Sequence, residues 1–253
     1  MILSNFDDAK KAIINPEDLV AAIPDFPEIV VSCFARATFK RMLKRYKHRL
    51  LTKTSVANLD IPIYELDYHG RKLAVFNAYV GAAGCVAVLE DLVAMGMKKL
   101  ILFGTCGILE EQVKETSIIV PTIAVRDEGT SFHYAPAQNE ISVNDRTLAK
   151  FLTYLQAENI SFSKGKVWTT DGIYRKTITK MKARKQEGCL AVDMECSAVA
   201  AWGQFREIAV CQFFYAADHL SEERWHPRSL GNEADLDEKD KIAEIALNFS
   251  TYL

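Results

Sequence analysis

The sequence lacks most of the features that mark specialised protein classes. Its six cysteines (Cys33, Cys85, Cys106, Cys189, Cys196 and Cys211) never approach C-x-x-C spacing, and several sit in apolar strand or helix contexts. They read as small buried residues of a reducing compartment, which excludes a disulfide frame and a zinc site. No uninterrupted apolar run nears the ~20 residues that cross a bilayer. The first eight residues lack a basic stretch followed by an apolar core, so a signal peptide is not expected and the cytoplasm follows. Neither sign of charge dominates: 31 Lys and Arg face 33 Asp and Glu, a net charge of −2, with no electrostatic footprint for nucleic acid. The one basic run, residues 40–49, reads as the solvated face of a helix.

What is present is ordinary globular usage, with 49% hydrophobic and 25% charged residues over 253 positions. That length suits a single α/β domain spanning 1–253 with a substantial core. Apolar strands alternate with helical periods, which predicts a three-layer α/β/α sandwich with a mixed central sheet. Around residues 190–220 this alternation frames acidic residues. Leu190, Ala191 and Val192 read as a short buried strand, 196–204 as a helix and 208–216 as a second buried strand. Asp193, Met194 and Glu195 therefore fall at a strand-to-helix junction, and Asp218 just past the end of the next strand. Ligands bind beyond the carboxyl ends of strands in open α/β sheets, so the two acidic clusters could share one crevice. Asp193 reads equally well as a helix cap.

Elsewhere the chain offers strand ends that suit an anion. The strand over 28–34 delivers Arg36 to a helix start, where a cation beside free backbone N–H groups can hold a negative charge. The hairpin over 61–80 feeds Gly81-Ala82-Ala83-Gly84 into a helix over 86–95, and such a turn lets backbone amides approach a phosphate or simply permits close packing. The strand over 99–103 presents Gly104-Thr105-Cys106-Gly107 at its end. The segment from Arg126 to Tyr134 is polar and aromatic for a connection, and reads as a site wall or as a surface loop. Asn144 looks like the cap of a helix over 144–155. A strand over 166–170 ends in Thr169-Thr170-Asp171-Gly172-Ile173-Tyr174, in which Tyr174 is a ligand-stacking ring or a core residue. Gly188 ends a charged helix over 179–187. Residues 232–253 form an acidic linker and an apolar-striped helix that covers the sheet.

These segments resemble the hexameric-type nucleoside phosphorylase family over roughly residues 29–226. Asp193-Met194-Glu195 is similar to that family's ribose-binding Glu-Met-Glu, and Ala217-Asp218-His219 to its Ser-Asp-His, whose Asp protonates the purine. Phe103 to Gly107 and Trp168 to Tyr174 agree in order and spacing. The resemblance implies that Asp193, Met194 and Glu195 hold ribose, that Arg36, Gly81 and Thr105 hold phosphate, and that Tyr174, Ile173 and Arg126 face the base. It further implies that Asp218 acts as general acid, with Arg224 modulating it. Arg126 belongs to the likeness with the pyrimidine-specific branch, so uridine stands beside purine nucleosides. The implied partners are a nucleoside and inorganic phosphate as co-substrate, with no cofactor and no metal, and the implied assembly is a homo-oligomer, from dimer to hexamer, in nucleotide salvage.

One departure matters. The family has an Arg two residues before Gly104, where this chain has Leu102, leaving Arg126, Arg45 or Arg49 as candidate replacements. The expected reaction is phosphorolysis of an N-glycosidic bond to a free base and ribose 1-phosphate. A nucleosidase using water, a non-catalytic nucleoside-binding protein and a purely structural α/β domain are the alternatives.

Overall fold

The structure is a computed structural model that describes residues 2–230 and 235–253. In chain order it contains α1 (Pro16–Leu19), β1 (Ile29–Cys33), α2 (Arg36–Arg45), β2 (His48–Val56), β3 (Leu59–Tyr68), β4 (Arg71–Asn77) and α3 (Ala82–Met95). Next come β5 (Lys99–Ile108), β6 (Ile118–Asp127), β7 (Glu140–Ser142), α4 (Leu148–Ala157), β8 (Phe162–Thr170) and α5 (Ile178–Gln186). The chain closes with β9 (Cys189–Asp193), α6 (Cys196–Arg206), β10 (Ala209–Leu220), β11 (Trp225–His226) and α7 (Leu236–Phe249). Of the expected acidic linker, residues 231–234 lie outside the described residues.

All eleven strands join one mixed sheet in the order β11-β10-β6-β8-β9-β5-β1-β4-β3-β2, with β7 on β6. β10 also pairs with β5, so β10, β6, β8, β9 and β5 close into a ring, which an open sheet would not do. Every residue of β1 is buried, as expected of a strand covered on both faces, whereas edge strand β2 keeps most of its residues at least partly exposed. Successive residues of one strand feed opposite layers. Val31 and Phe103 pack with Phe151 of α4 and Phe249 of α7, while Val30 and Leu102 pack with Leu89 of α3 and Trp202 of α6.

Several expectations need correction. The basic run does not form one solvated face: it leaves α2 for β2, and Arg41 and Arg45 both pair with Asp240 of α7, whose side chain is 2% exposed. Leaving that carboxylate unpaired would cost about 3–5 kcal/mol. Asn144 does not cap α4. Its φ is +61°, and its amide donates to Pro121 O and Gln212 O while accepting from Gln212 N, so it fastens the chain before α4 to β10. Gly104 to Gly107 do not lie beyond the end of the strand but continue β5. A Cβ on Gly104 would meet the Phe34 ring at 2.6 Å and one on Gly107 would meet Leu220 at 2.6 Å, so these glycines serve close packing.

Candidate active site

The strand β9 ends at Asp193, and α6 begins three residues later. Asp193 Oδ2 accepts from the backbone N–H of Glu195 (2.8 Å) and Cys196 (2.6 Å), and Oδ1 accepts from Thr169 Oγ1 at 2.7 Å. The N-cap of α6 is Glu195, so Asp193 is not itself the cap; its carboxylate holds the turn that aims Glu195. Met194, between them, is partly buried. Glu195 turns the other way, and its Oε1 accepts from Gly81 N at 2.6 Å. Gly81 has φ +105°, a left-handed conformation open to glycine at no steric cost, and it caps α3. A residue expected to hold sugar and one expected to hold phosphate thus touch directly.

Asp218 lies inside β10, not beyond it. The register steps from Ala216 beside Cys106 to Asp218 beside Gly107, which leaves Ala217 as the extra residue of a β-bulge. Strict alternation would turn residue 218 toward the apolar cluster of Cys106, Phe214 and Ala216. The bulge turns Asp218 to the side of Gly107 instead, with Oδ1 3.2 Å from where a Gly107 Cβ would stand. Asp218 is 7% exposed, and Oδ2 accepts from the indole N–H of Trp225 at 2.7 Å.

Arg224, the residue before Trp225, bonds elsewhere. β10 and β11 form a hairpin in which Leu220 faces Trp225, and the exposed Arg224 donates through Nε to His226 Nε2 at 3.0 Å. Sequence reasoning passed over Trp225. The signal was the hairpin itself, because the residue opposite Leu220 folds back toward Asp218.

The second residue missed was Lys176. It follows the 3₁₀ turn Ile173–Arg175, is partly buried, and makes no hydrogen bond or ion pair among the described residues. Its ammonium stands within electrostatic range of Asp218, Asp193 and Glu195. The two acidic clusters therefore both act on this one cation. Burial draws the Lys176 pKa below its usual range, and the three carboxylates push it back. Burial also raises Asp193 above the ordinary carboxylate range against its three donors, and raises Glu195 further through the neighbouring charge of Asp193.

The remaining residues fall into two groups. β4, β1 and β5 run parallel side by side, with Cys33 registered to Asn77 and Phe103, so their ends deliver Gly81, Arg36 and Thr105 along one line. Arg36 is exposed with no partner among the described residues, at the start of α2, which has no side-chain cap. Thr105 is the only residue between Leu100 and Leu109 that is not fully buried, and its hydroxyl has no partner among the described residues. Ile173 and Tyr174 are 51% and 93% exposed, which removes the core alternative for Tyr174 and puts both side chains on the rim.

Arg126 is committed elsewhere. It donates to Ser131 Oγ, Pro136 O and Ala135 O and lies 4.1 Å from the Phe132 ring centroid, binding its loop into a packed unit. The candidate replacements for the missing arginine are thus engaged: Arg126 here, Arg45 with Asp240 and Glu244, and Arg49 with Glu65. Leu102 itself is fully buried. Among the described residues no group of three or more His, Cys, Asp or Glu could hold a metal ion. A hollow lined by Ser142, Asn144, Arg146 and Gln204 lies apart from all these residues.

The purine nucleoside phosphorylases of DeoD type from Bacillus cytotoxicus and Bacillus cereus are each 26% identical over 160 residues, 60% of this chain. The match spans 66% of the length of these curated relatives, just under two thirds. The crystal structure of uridine phosphorylase from Vibrio fischeri superimposes with a TM-score of 0.77 at 18% identity, covering 96% of this chain and all of that one. Purine nucleoside phosphorylase from Toxoplasma gondii, in complex with immucillin-H, gives 0.73 at 20% identity over 90% of this chain and 94% of its own. These two structures share the fold. The family model of the phosphorylase superfamily matches residues 29–251, from the first residue of β1 to the last turn of the chain, and on that match this protein belongs to the phosphorylase superfamily.

Proposed function

We propose that the protein cleaves the N-glycosidic bond of a nucleoside by phosphorolysis, giving a free base and ribose 1-phosphate. The observation that carries this reading is the contact of the buried Glu195 with the Gly81 turn, with Asp193 bracing the turn that holds Glu195 and Asp218 buried against Trp225. Glu195 accepts hydrogen bonds from ribose hydroxyls, exchanging the Gly81 amide for them, and Met194 packs under the sugar. The released amide, Thr105 Oγ1 and Arg36 hold phosphate. A phosphate oxygen forms the new bond to the anomeric carbon as the bond to the base nitrogen breaks. The bonding pair leaves with the base, which takes a proton from Asp218. Hydrogen bonds to the hydroxyls strengthen as the sugar becomes cationic, which is where binding energy accelerates the step.

A general acid suits a purine, which offers a ring nitrogen to protonate, and the DeoD-type relatives support that side. The uridine phosphorylase likeness keeps uridine in the reading. Phosphate is the only co-substrate, with no cofactor. The protein is read as a cytoplasmic salvage enzyme working as a homo-oligomer, from dimer to hexamer, which light scattering tests. No helix among the described residues is long and apolar enough to cross a membrane.

Hydrolysis is the second reading, favoured by the buried Leu102 and the engaged arginines, which leave Arg36 as the one unpaired cation among the four considered. One experiment separates the two. Inosine, guanosine, adenosine and uridine are each incubated with and without phosphate and the sugar product is identified. Phosphate-dependent ribose 1-phosphate supports phosphorolysis. Phosphate-independent ribose replaces it with hydrolysis, and no base release leaves a binding protein.

A further inference from the structure

The proposed chemistry leaves Lys176 without a task, although it is partly buried, stands within electrostatic range of the acid and has no hydrogen-bond partner among the described residues. It follows Ile173 and Tyr174, the side chains proposed to flank the base, and it closes the turn after β8, whose Thr169 bonds Asp193. The anion end is built by β1, β4 and β5, whereas Lys176 follows β8, two strands beyond β5 in the sheet order. Its partner therefore arrives with the base, not with phosphate.

An ammonium has three N–H donors and no acceptor, so it bonds only a group that accepts. On a 6-oxopurine the ring nitrogen N7 and the exocyclic O6 are neighbouring acceptors on one edge, and uracil carries the comparable O4. A 6-aminopurine offers N7 beside an amino donor. A carboxylic acid reaching N7 and an ammonium reaching the next position match the oxo edge and oppose the amino edge.

We propose that Lys176 is a specificity-determining residue that donates to the exocyclic oxygen of the base, so that the site takes oxo-base nucleosides in preference to amino-base ones. This inference rests on the nucleoside reading of the site. A buried donor facing an amino group leaves both unpaired, the arrangement by which sites reject close analogues most strongly.

The test compares kcat/KM for inosine and adenosine, and for uridine and cytidine, at saturating phosphate. The native enzyme should favour the oxo member of each pair it accepts by about 100-fold or more. In Lys176→Met the inosine value should fall by about 10- to 100-fold while adenosine stays within about threefold. Lys176→Gln can donate or accept through its amide, so its ratio should drop to about 10 or less. A merely structural or charge-balancing lysine would lower both substrates in proportion. That result, or a native enzyme indifferent to the exchange of oxo for amino, overturns the proposal. If Lys176→Met does not fold, the native ratio and Lys176→Gln decide. If no nucleoside turns over, melting shifts of the native protein with equal inosine and adenosine are read. A larger shift with inosine sustains the role of Lys176 while phosphorolysis falls, and equal or absent shifts overturn it.

Discussion

The two ends of the candidate site are built differently. At the sugar and base end, Asp193 accepts three hydrogen bonds, Glu195 is held by Gly81 and Asp218 by Trp225, and all three carboxylates are at least nine-tenths buried. At the anion end, Arg36 is exposed, Thr105 has an unpaired hydroxyl among the described residues, and the position of the family arginine is a buried leucine. One end is positioned before any ligand arrives. The other offers an exposed guanidinium and a free hydroxyl with no protein partner among the described residues. Substitutions at the two ends should therefore fail in different ways.

The largest effect belongs to the base end. Asp218→Asn keeps an oxygen for the Trp225 indole but removes the transferable proton, so kcat for purine nucleosides should fall by about 10²–10⁴ with nucleoside binding little changed. Unaltered turnover in a steady-state assay would remove Asp218 from the mechanism. At the anion end, Arg36→Ala should raise the KM for phosphate by about 10- to 100-fold, the loss of one charge-assisted contact, while the nucleoside KM moves less than about threefold. An equal rise in both constants would erase the distinction between the ends.

Two smaller tests probe how the base end is held. Trp225→Phe deletes one hydrogen bond to the buried Asp218 side chain in its acid form and should lower kcat by about 3- to 10-fold, within the ~0.5–1.5 kcal/mol of such a bond. Stopped-flow base release would report it, and a native rate would make the indole incidental. Glu195→Gln should abolish most activity yet steady the empty protein. Burial and Asp193 raise the Glu195 pKa, so the folded state keeps a proton that the unfolded chain releases as pH climbs past the ordinary carboxylate range. The stability tied to that proton is present at low pH and lost toward the raised value. We expect Tm to rise by about 2–4 °C at pH 8, and by less at pH 5, in scanning calorimetry. A lower Tm at pH 8 would mean that the Gly81 contact outweighs burial.

Sequence and structure part company for physical reasons that can be named. Strands such as β1 and β9 and helices such as α6 were legible because continuous apolar runs demand burial on every side. The junction at residues 193–195 followed from them. Ring closure was not legible, since the pairing of β5 with β10 joins residues about a hundred positions apart. β10 looked shorter because Asp218 and His219 are polar, although both are buried within it. Gly104 and Gly107 suggested the end of a strand, whereas within β5 they make room for Phe34 and Leu220. Lys176, set between Arg175 and Thr177 in a polar stretch, carried no pattern that separates it from a surface lysine. Arg126 carried the opposite error, a charged residue matched to a ligand whose donors face its own loop.

The bulge at Ala217 makes the site sensitive to residue count as well as residue type. A residue inserted opposite it in β5, between Cys106 and Gly107, would restore the pleat and swing residue 218 toward the apolar side of Phe214 and Ala216, leaving every named residue present and the candidate site without its acid. Homologues that differ in length at this point would then be expected to differ in chemistry, even where the Asp-His pair is spelled identically.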